Sequence, residues 1–350
     1  MLFTAAAILT ALLVLLTLLP LSRAETWWIR GGDFPRLQFF AAGLILAILQ
    51  LALLDLSQAS SWLLIAAVTA CMLWQAWWIW PYTYLHRKEV KAATHPGQDH
   101  RIRIMIANVL MNNRNAPRLL EIVAAAEPDV LVTLETDQWW EDQLAVLETD
   151  HPHTLKCPLD NKYGMHLYSR LPLTDAHIRF LIEPGHPSMH ALVTLRSGQR
   201  IRLHCLHPAP PSPTENDSSI QRDAELILVG KQVAHASLPV LVTGDLNDVA
   251  WSATTRLFRK ISGLLDPRIG RGMFNSFHAA HVFLRWPLDH LFHSRHFTLG
   301  AIHRLPRFGS DHFPILVELA LEPEQGTQQQ GLEADAEERA WAEEKLTQQT

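Results

Sequence analysis

Three apolar stretches, residues 2–20, 37–54 and 62–80, dominate the first quarter of the chain. Beyond residue 90 the pattern changes to short apolar runs, most of which end at a polar side chain. Each long stretch has roughly 18–20 residues, enough to cross a ~30 Å hydrocarbon core as a helix. Charges are all but absent from them, and Trp27, Trp28, Trp77, Trp78, Trp80, Tyr82 and Tyr84 cluster at their ends, as an interfacial aromatic belt would. Two other readings exist: buried core helices of a water-soluble protein, and a cleaved signal peptide over residues 1–22. The second is disfavoured because no Lys or Arg precedes the first apolar run. The pattern predicts a three-helix membrane anchor over residues 1–85.

The later runs predict alternating strands and helices. "RIRIMIANVL" (residues 101–110) reads as a strand. In "APRLLEIVAAAEPDVLVTLET", apolar residues at 119, 122, 123 and 126 predict a helix that Pro128 ends, and a strand follows over 129–134. "YGMHLYSRLPL" holds a short strand, and "ALVTLRSGQRIRLHCLHP" a hairpin about its Ser-Gly turn. "SIQRDAELILVGKQVAHAS" is an amphipathic helix, and "PVLVTGDLND" an apolar strand that breaks into a polar turn. "PLDHLFHS" and "GSDHFPILVEL" each supply one more strand. The alternation predicts an α/β domain over residues 95–320, with a mixed sheet or two packed sheets flanked by helices.

Strand ends carry the chemistry. "IMIAN" stops at Asn108, "DVLVTLE" at Glu135, "LHCLH" at His207 and "VLVTGDLN" at Asp245 and Asn247. "PLDH" adds Asp289, and "GSDH" adds Asp311 and His312. Singly each has an ordinary explanation, as a solvated loop residue, a turn-former or a helix cap. Together, hard oxygen donors suit Mg²⁺ or Mn²⁺, and a carboxylate beside an imidazole fixes the ring and stabilises its charge. That set suits hydrolysis of a phosphate ester. Zinc fits poorly, since the 19 histidines include no H-E-x-x-H and the cysteines are not paired at ligand spacing.

Composition narrows the partners. The 350 residues carry a net charge of −5, and the 95–320 segment is nearly neutral with no basic run, unlike a tight nucleic-acid binder. Cys71, Cys157 and Cys205 are too few for a disulfide framework. Residues 321–350 are acidic and Gln-rich, and predict a flexible, solvated tail with helical content at its Ala-Glu-rich end. Arg23, Arg30 and Arg36 in the first connector, with Arg87, Lys88 and Lys91 after the third stretch, put the N-terminus outside and the domain in the cytoplasm by the positive-inside rule.

The ordered series "NV", "PDVLVTLE", "LYSRLPL", "LHCLHP", "GDLND", "PLDH" and "GSDHFP" resembles the endonuclease/exonuclease/phosphatase (DNase I-like) superfamily over residues 101–320. The layout resembles its membrane-anchored bacterial branch, which includes proteins linked to teicoplanin resistance. The resemblance implies a four-layer α/β sandwich preceded by three transmembrane helices. It implies that Asn108 and Glu135 belong to the metal site, with Glu135 the direct ligand and Asp311 the second metal-side carboxylate. His207 would face the scissile phosphate, Asp245 would orient or deprotonate water, and Asn247 would hold phosphate or water. His312 would lie on the phosphoryl oxygens with Asp289 orienting it. Tyr168, Ser169 and Arg170 would brace the site. The resemblance also puts the catalytic domain outside the cytoplasmic membrane, against the charge count, and the side stays open.

The expected function is a multi-pass plasma-membrane phosphoesterase dependent on Mg²⁺ or Mn²⁺, acting on a phosphate mono- or diester that the tether suggests is lipid-linked. A membrane-bound nuclease acting on DNA or RNA is the enzymatic alternative, and a non-catalytic phospho-ligand binder the other. No protein partner follows from the sequence.

Overall fold

A computed structural model describes residues 1–94 and 97–349; the expected domain start at residue 95 and the last tail residue, 350, lie outside the described residues. The three apolar stretches form helices Leu2–Leu18, Arg36–Leu53 and Ala59–Ile79. With their flanking turns all three are long and apolar enough to cross a membrane. They are not buried as core helices would be: Leu63 is 71% exposed and Leu73 67%. Among themselves the helices meet through Leu13, Leu46, Val68 and Cys71. Gln50 Nε2 donates to Thr10 Oγ1 at 2.8 Å and Gln75 Nε2 to Thr17 Oγ1 at 3.1 Å. Such bonds between apolar helices contribute about 0.6 kcal/mol each.

Two mixed sheets follow. One contains β1 (Arg101–Asn108), β2 (Val130–Leu134), β3 (His153–Cys157), β4 (Met165–Ser169), β10 (Phe297–Arg304) and β11 (Ile315–Leu321), in the order β10-β11-β1-β2-β4-β3. The other runs in chain order through β5 (Leu173–Arg179), β6 (Ser188–Thr194), β7 (Arg200–Leu206), β8 (Val240–Asp245) and β9 (Asp289–His293). Each sheet has one parallel pair, β1–β2 and β7–β8; the remaining pairs are antiparallel.

Both faces of each sheet are covered, which is why their central strands read as nearly continuous apolar runs. Ile104, Ile106, Val132 and Val317 of one sheet meet Met189, Leu203, Cys205 and Leu241 of the other in the inner core. Outside, Met105 and Leu131 pack with Leu119, Ile122 and Val123 of the Ala116–Ala126 helix. That helix ends at Glu127, whose left-handed φ of 43° turns the chain just before Pro128. On the far side Val240, Val242 and Phe292 pack with Leu226, Val229 and Phe258, from helices Ile220–Ala234 and Ala253–Ser262. Helix, sheet, sheet and helix make the expected four layers. Strands β3, β5 and β10 and the Ala253–Ser262 helix go beyond the elements that the apolar pattern announces.

The three-helix segment is locked to one edge of this sandwich. Tyr82 Oη donates to Ala250 O at 2.6 Å and Trp251 Nε1 to Asp33 O at 2.8 Å. Ser219 N donates to Glu25 O at 2.8 Å and Trp27 N to Asp217 O at 2.9 Å. Ile79, Tyr82, Val249, Trp251, Ile269 and Leu288 pack between them. The tail corrects an expectation: it is not solvated throughout. Asp335 caps the Ala336–Thr347 helix in a capping box, and the helix docks on Ile220–Ala234. Lys345, only 3% exposed, reaches Asp223 Oδ2 at 2.6 Å and Glu25 Oε1 at 2.7 Å. Ala342, Trp341 and Leu346 pack on Ile227, Leu257 and Ile261, a small apolar patch that the acidic, Gln-rich pattern of the tail hides, and the Lys345 ammonium is buried beside it. Burial works against the charge of Asp223, but Lys345 and Arg222 outweigh it and hold the carboxyl well below its ordinary range.

Two stability predictions follow from these buried charges. Lys345→Ala leaves Glu25 and Asp223 short of a partner and should cost about 3 kcal/mol, read as a lower melting temperature of the detergent-solubilised chain. Glu225 is buried, and burial, with Glu183 adding to it, pushes its carboxyl up to about 8 from 4.5. The folded protein therefore holds this proton more tightly than the unfolded chain, and its contribution to stability is lost as pH rises from 4.5 through 8. Glu225→Gln should flatten that decline in melting curves recorded across the same window.

Candidate active site

The carboxyl ends of the two parallel pairs lie at the same edge of the sandwich. In one sheet β1 ends at Asn108, paired with Leu134, and Glu135 follows. In the other Leu206 pairs with Gly244, so His207 and Asp245 emerge side by side, and Asp289 pairs with Asp245 from β9. The turn before β11 brings Asp311 and His312 to this edge, with Ser310 Oγ donating to Asn108 O at 2.8 Å.

The side chains converge across the sheets. Asn108 Nδ2 donates to Glu135 Oε1 at 2.8 Å and to Asp245 Oδ2 at 3.1 Å. Met111 N donates to Glu135 Oε2 at 3.3 Å. His312 Nδ1 lies 2.7 Å from Asp289 Oδ2, and its Nε2 lies 3.5 Å from Asp245 Oδ2. Asn247, with a left-handed φ of 51°, is held by Asp245 Oδ1 at its N–H and donates from Nδ2 to Pro208 O at 2.9 Å. Asn108, His207, Asp245, Asp289 and His312 are buried and form the floor; Glu135, Asn247 and Asp311 are half-buried and form the mouth.

The electrostatics divide the acids and imidazoles by task. Burial pushes Glu135 up to about 7; the Asn108 bond and His312 oppose this, while Asp311 and Asp245 add to it. Burial disfavours a charged His312, yet Asp289 and Asp245 outweigh it and raise the imidazole to about 10. Burial instead lowers His207 to about 4 despite Asp245, so this ring is neutral at pH 7, and its Nδ1 has no hydrogen-bond partner.

Two groups of donors could hold a cation. Asp245, Asp289 and His312 offer ligand atoms within 4.8 Å of one another. There, however, both imidazole nitrogens face carboxylates, an arrangement that suits two N–H donors rather than a metal. Glu135 and Asp311, at the half-buried mouth, are hard oxygen donors of the kind a divalent cation prefers. Asn108, expected in the metal site beside the direct ligand Glu135, accepts at Oδ1 from Leu110 N at 3.0 Å and turns its amide to the acids, so it holds Glu135 in place.

A second expectation is corrected. Ser169 pairs with Val130, at the opposite end of β2 from Glu135, and its Oγ is bound to the backbone of Leu171. Tyr168, Ser169 and Arg170 therefore brace the far end of the sheet and not the site. His290 lies beneath the site, between Arg268 Nη2 at 2.7 Å and Asp248 O at 2.9 Å. Several neighbours escaped the sequence reading. The Tyr163 ring lies 5.2 Å from His207 and 3.8 Å from His186, and the Phe277 ring 5.0 Å from His312. Ala279 N donates to Asp311 O at 2.6 Å, which brings His278 to the rim. None of these ends an apolar run, so strand-end logic could not find them.

A four-layer sandwich of two mixed sheets with acids and imidazoles gathered at one edge defines the DNase I-like class of phosphoester hydrolase folds. Residues 105–312 match the Endonuclease/Exonuclease/phosphatase family, and the chain belongs to it. No curated protein matches the chain. Among solved structures, the human Nocturnin catalytic domain with bound sulfate anion aligns at 18% identity and a TM-score of 0.52, covering 65% of this chain and 99% of that one. An endonuclease/exonuclease/phosphatase from Beutenbergia cavernae aligns at 18% and 0.52, covering 64% and 72%. D. rerio TDP2 complexed with single strand DNA product aligns at 18% and 0.51, covering 63% and 99%. At such identities the likeness is one of fold. Members of the family hydrolyse phosphoester bonds and generally use divalent metal ions.

Gly244 fixes the junction of β7 and β8. Its φ is +141°, and a Cβ there would come within 1.9 Å of Leu206 O. Gly244→Ala should therefore cost about 3 kcal/mol or more and displace His207 and Asp245 together. Gly198→Ala, at an open turn with nothing within 4 Å, should cost only about 1 kcal/mol. Melting temperatures of the two variants, with turnover of a soluble phosphodiester, check the contrast.

Proposed function

We propose that the chain is a membrane-anchored, divalent-metal-dependent phosphoesterase that hydrolyses a phosphate mono- or diester. The observation that carries the reading is the meeting of Asn108, Glu135, Asp245, Asp289 and His312 within hydrogen-bond or ion-pair distance, with Asp311 in the same turn as His312. Glu135 and Asp311 would hold Mg²⁺ or Mn²⁺, and the bound ion would neutralise charge on the phosphoryl oxygens. Asp245 would orient or deprotonate the attacking water, with its own carboxylate steadied by the N–H groups of Asn108 and Asn247. Asn247 and neutral His207 would hold phosphate oxygens as neutral donors. His312, kept charged by Asp289, would stabilise the charge that develops there. The three apolar helices would span the membrane, with the first connector and the chain after the third helix on the domain's side, because both pack against the domain.

A nuclease is the second reading, favoured by the fold shared with a TDP2 that holds a DNA product. It predicts nicking of plasmid DNA and binding that weakens steeply with salt. A non-catalytic ligand binder would show stabilisation by phosphate compounds without turnover.

The test uses the purified full-length chain and bis-p-nitrophenyl phosphate. Turnover should vanish with EDTA and return with Mg²⁺ or Mn²⁺, while Asp245→Ala and His312→Ala should each lose ~10²–10⁴-fold in rate. Equal turnover by wild type and Asp245→Ala would remove the catalytic assignment. Plasmid nicking at low enzyme concentration, outpacing the small diester, would favour the nuclease.

A further inference from the structure

The catalytic edge and the anchored edge of the sandwich are the same edge. Residues 248–251, directly after Asn247, pack against Tyr82 and Asp33. Phe34, two residues before the Arg36–Leu53 helix, meets Trp286 with ring centroids 5.6 Å apart. Trp286 stacks on Phe277 at 6.2 Å, and Phe277 lies 5.0 Å from His312. Three ring-to-ring steps thus connect the start of a membrane span to the catalytic imidazole. The headgroup layer on each side of a bilayer is about 5–8 Å deep, so the reacting phosphate site stands close to the headgroups.

The loop that carries Phe277 and Trp286 has an unusual tip. Val282, Phe283 and Leu284 are 65%, 87% and 49% exposed, consecutive and apolar. They are not pointed into free solution at random. Gln38 Nε2, in the first turn of the Arg36–Leu53 helix, donates to Phe283 O at 2.7 Å. That bond sets the loop tip beside the first turn of the Arg36–Leu53 helix, where the span begins. The base of the same loop forms the rim of the site through the bond from Ala279 N to Asp311 O.

We infer that the 278–286 loop rests with Val282, Phe283 and Leu284 in the headgroup boundary of the membrane that the three helices cross, and holds the catalytic rim against it. The site then takes a phosphoester carried on a lipid of that membrane. The inference rests on the phosphoesterase reading above and adds the substrate class. Apolar side chains at this boundary are buried as in any amphipathic membrane contact. Continuity with the anchor decides the occupant: another protein docking on this tip would have to displace the bilayer the anchor already defines.

The test reconstitutes the full chain in phosphatidylcholine vesicles doped with phosphatidic acid, a monoester, or phosphatidylglycerol, a diester, and compares both with soluble bis-p-nitrophenyl phosphate. The triple variant Val282→Ser, Phe283→Ser, Leu284→Ser should lose about tenfold or more on a lipid-borne substrate and stay within about twofold on the soluble one. A bimane label on Phe283→Cys, with the unsubstituted chain as the labelling blank, should be quenched by brominated phosphatidylcholine and shielded from aqueous iodide. Undiminished lipid turnover by the triple variant, or equal losses on both substrates, would overturn the inference. Quenching of the label from water alone would do the same. Wild-type chain inactive on every substrate would instead remove the phosphoesterase reading and the substrate class with it, while the label still reports the position of the loop.

Discussion

One buried contact ties the two sheets together where the chemistry gathers: Asn108 Nδ2, at the end of β1, donates to Asp245 Oδ2, at the end of β8, across 3.1 Å. The same amide holds Glu135 at 2.8 Å. A hydrogen bond to a buried charged group contributes about 1.5–3 kcal/mol, and losing it leaves the carboxylate unsolvated as well. The amide can do this only because each sheet keeps a single parallel pair whose carboxyl ends lie at one edge. Parallel strands point their ends the same way, so the residue after each apolar run is delivered to the same place. Antiparallel partners β9 and β11 begin at that same edge, so Asp289 opens β9 and His312 lies just before β11.

Much of this was legible in the residues. Central strands buried on both faces must be apolar throughout, so they stand out, and the polar residue that stops each one stands out with them. Asn108, Glu135, His207 and Asp245 were visible for that reason. Edge strands obey no such rule: β5 leaves Thr174, Asp175 and Ala176 exposed, and it reads as loop. The Ala253–Ser262 helix was hidden because its buried face includes Thr254 and Arg259, polar residues whose partners Asp223 and Glu89 lie far away in sequence. The same reason hid the docked tail, where Lys345 finds its acids at positions 25 and 223. Tyr163, Phe277 and His278 sit in loops, where only the folded path brings them to the site.

The first connector shows how charge counting and structure can part. Arg30 and Arg36 both pair with Asp33, and Arg36 also reaches Gln75 at 3.2 Å and lies over the Trp78 ring. These guanidinium groups shape the junction between anchor and domain. Their number says less about sidedness than a count of solvated charges would, since the fold has its own use for two of the three. Arg23 is the solvent-exposed one, and it pairs with Glu337 of the docked tail.

After Tyr82 the chain does not step straight into the sandwich. It runs down the flank, where Ala92 lies beside Leu299, a residue level with Leu319 and hence with Ile102 near the start of β1. It then climbs back through β1 to the edge it left. The covalent link between anchor and enzyme therefore bears little of the attachment, which lies in the noncovalent seam around Tyr82, Trp251, Glu25 and Lys345. A protease that severed residues 83–94 would cut the polypeptide without setting the enzyme adrift, and the severed halves would keep one fixed pose. The site would then keep one fixed distance from the three apolar helices whatever happened to the linker.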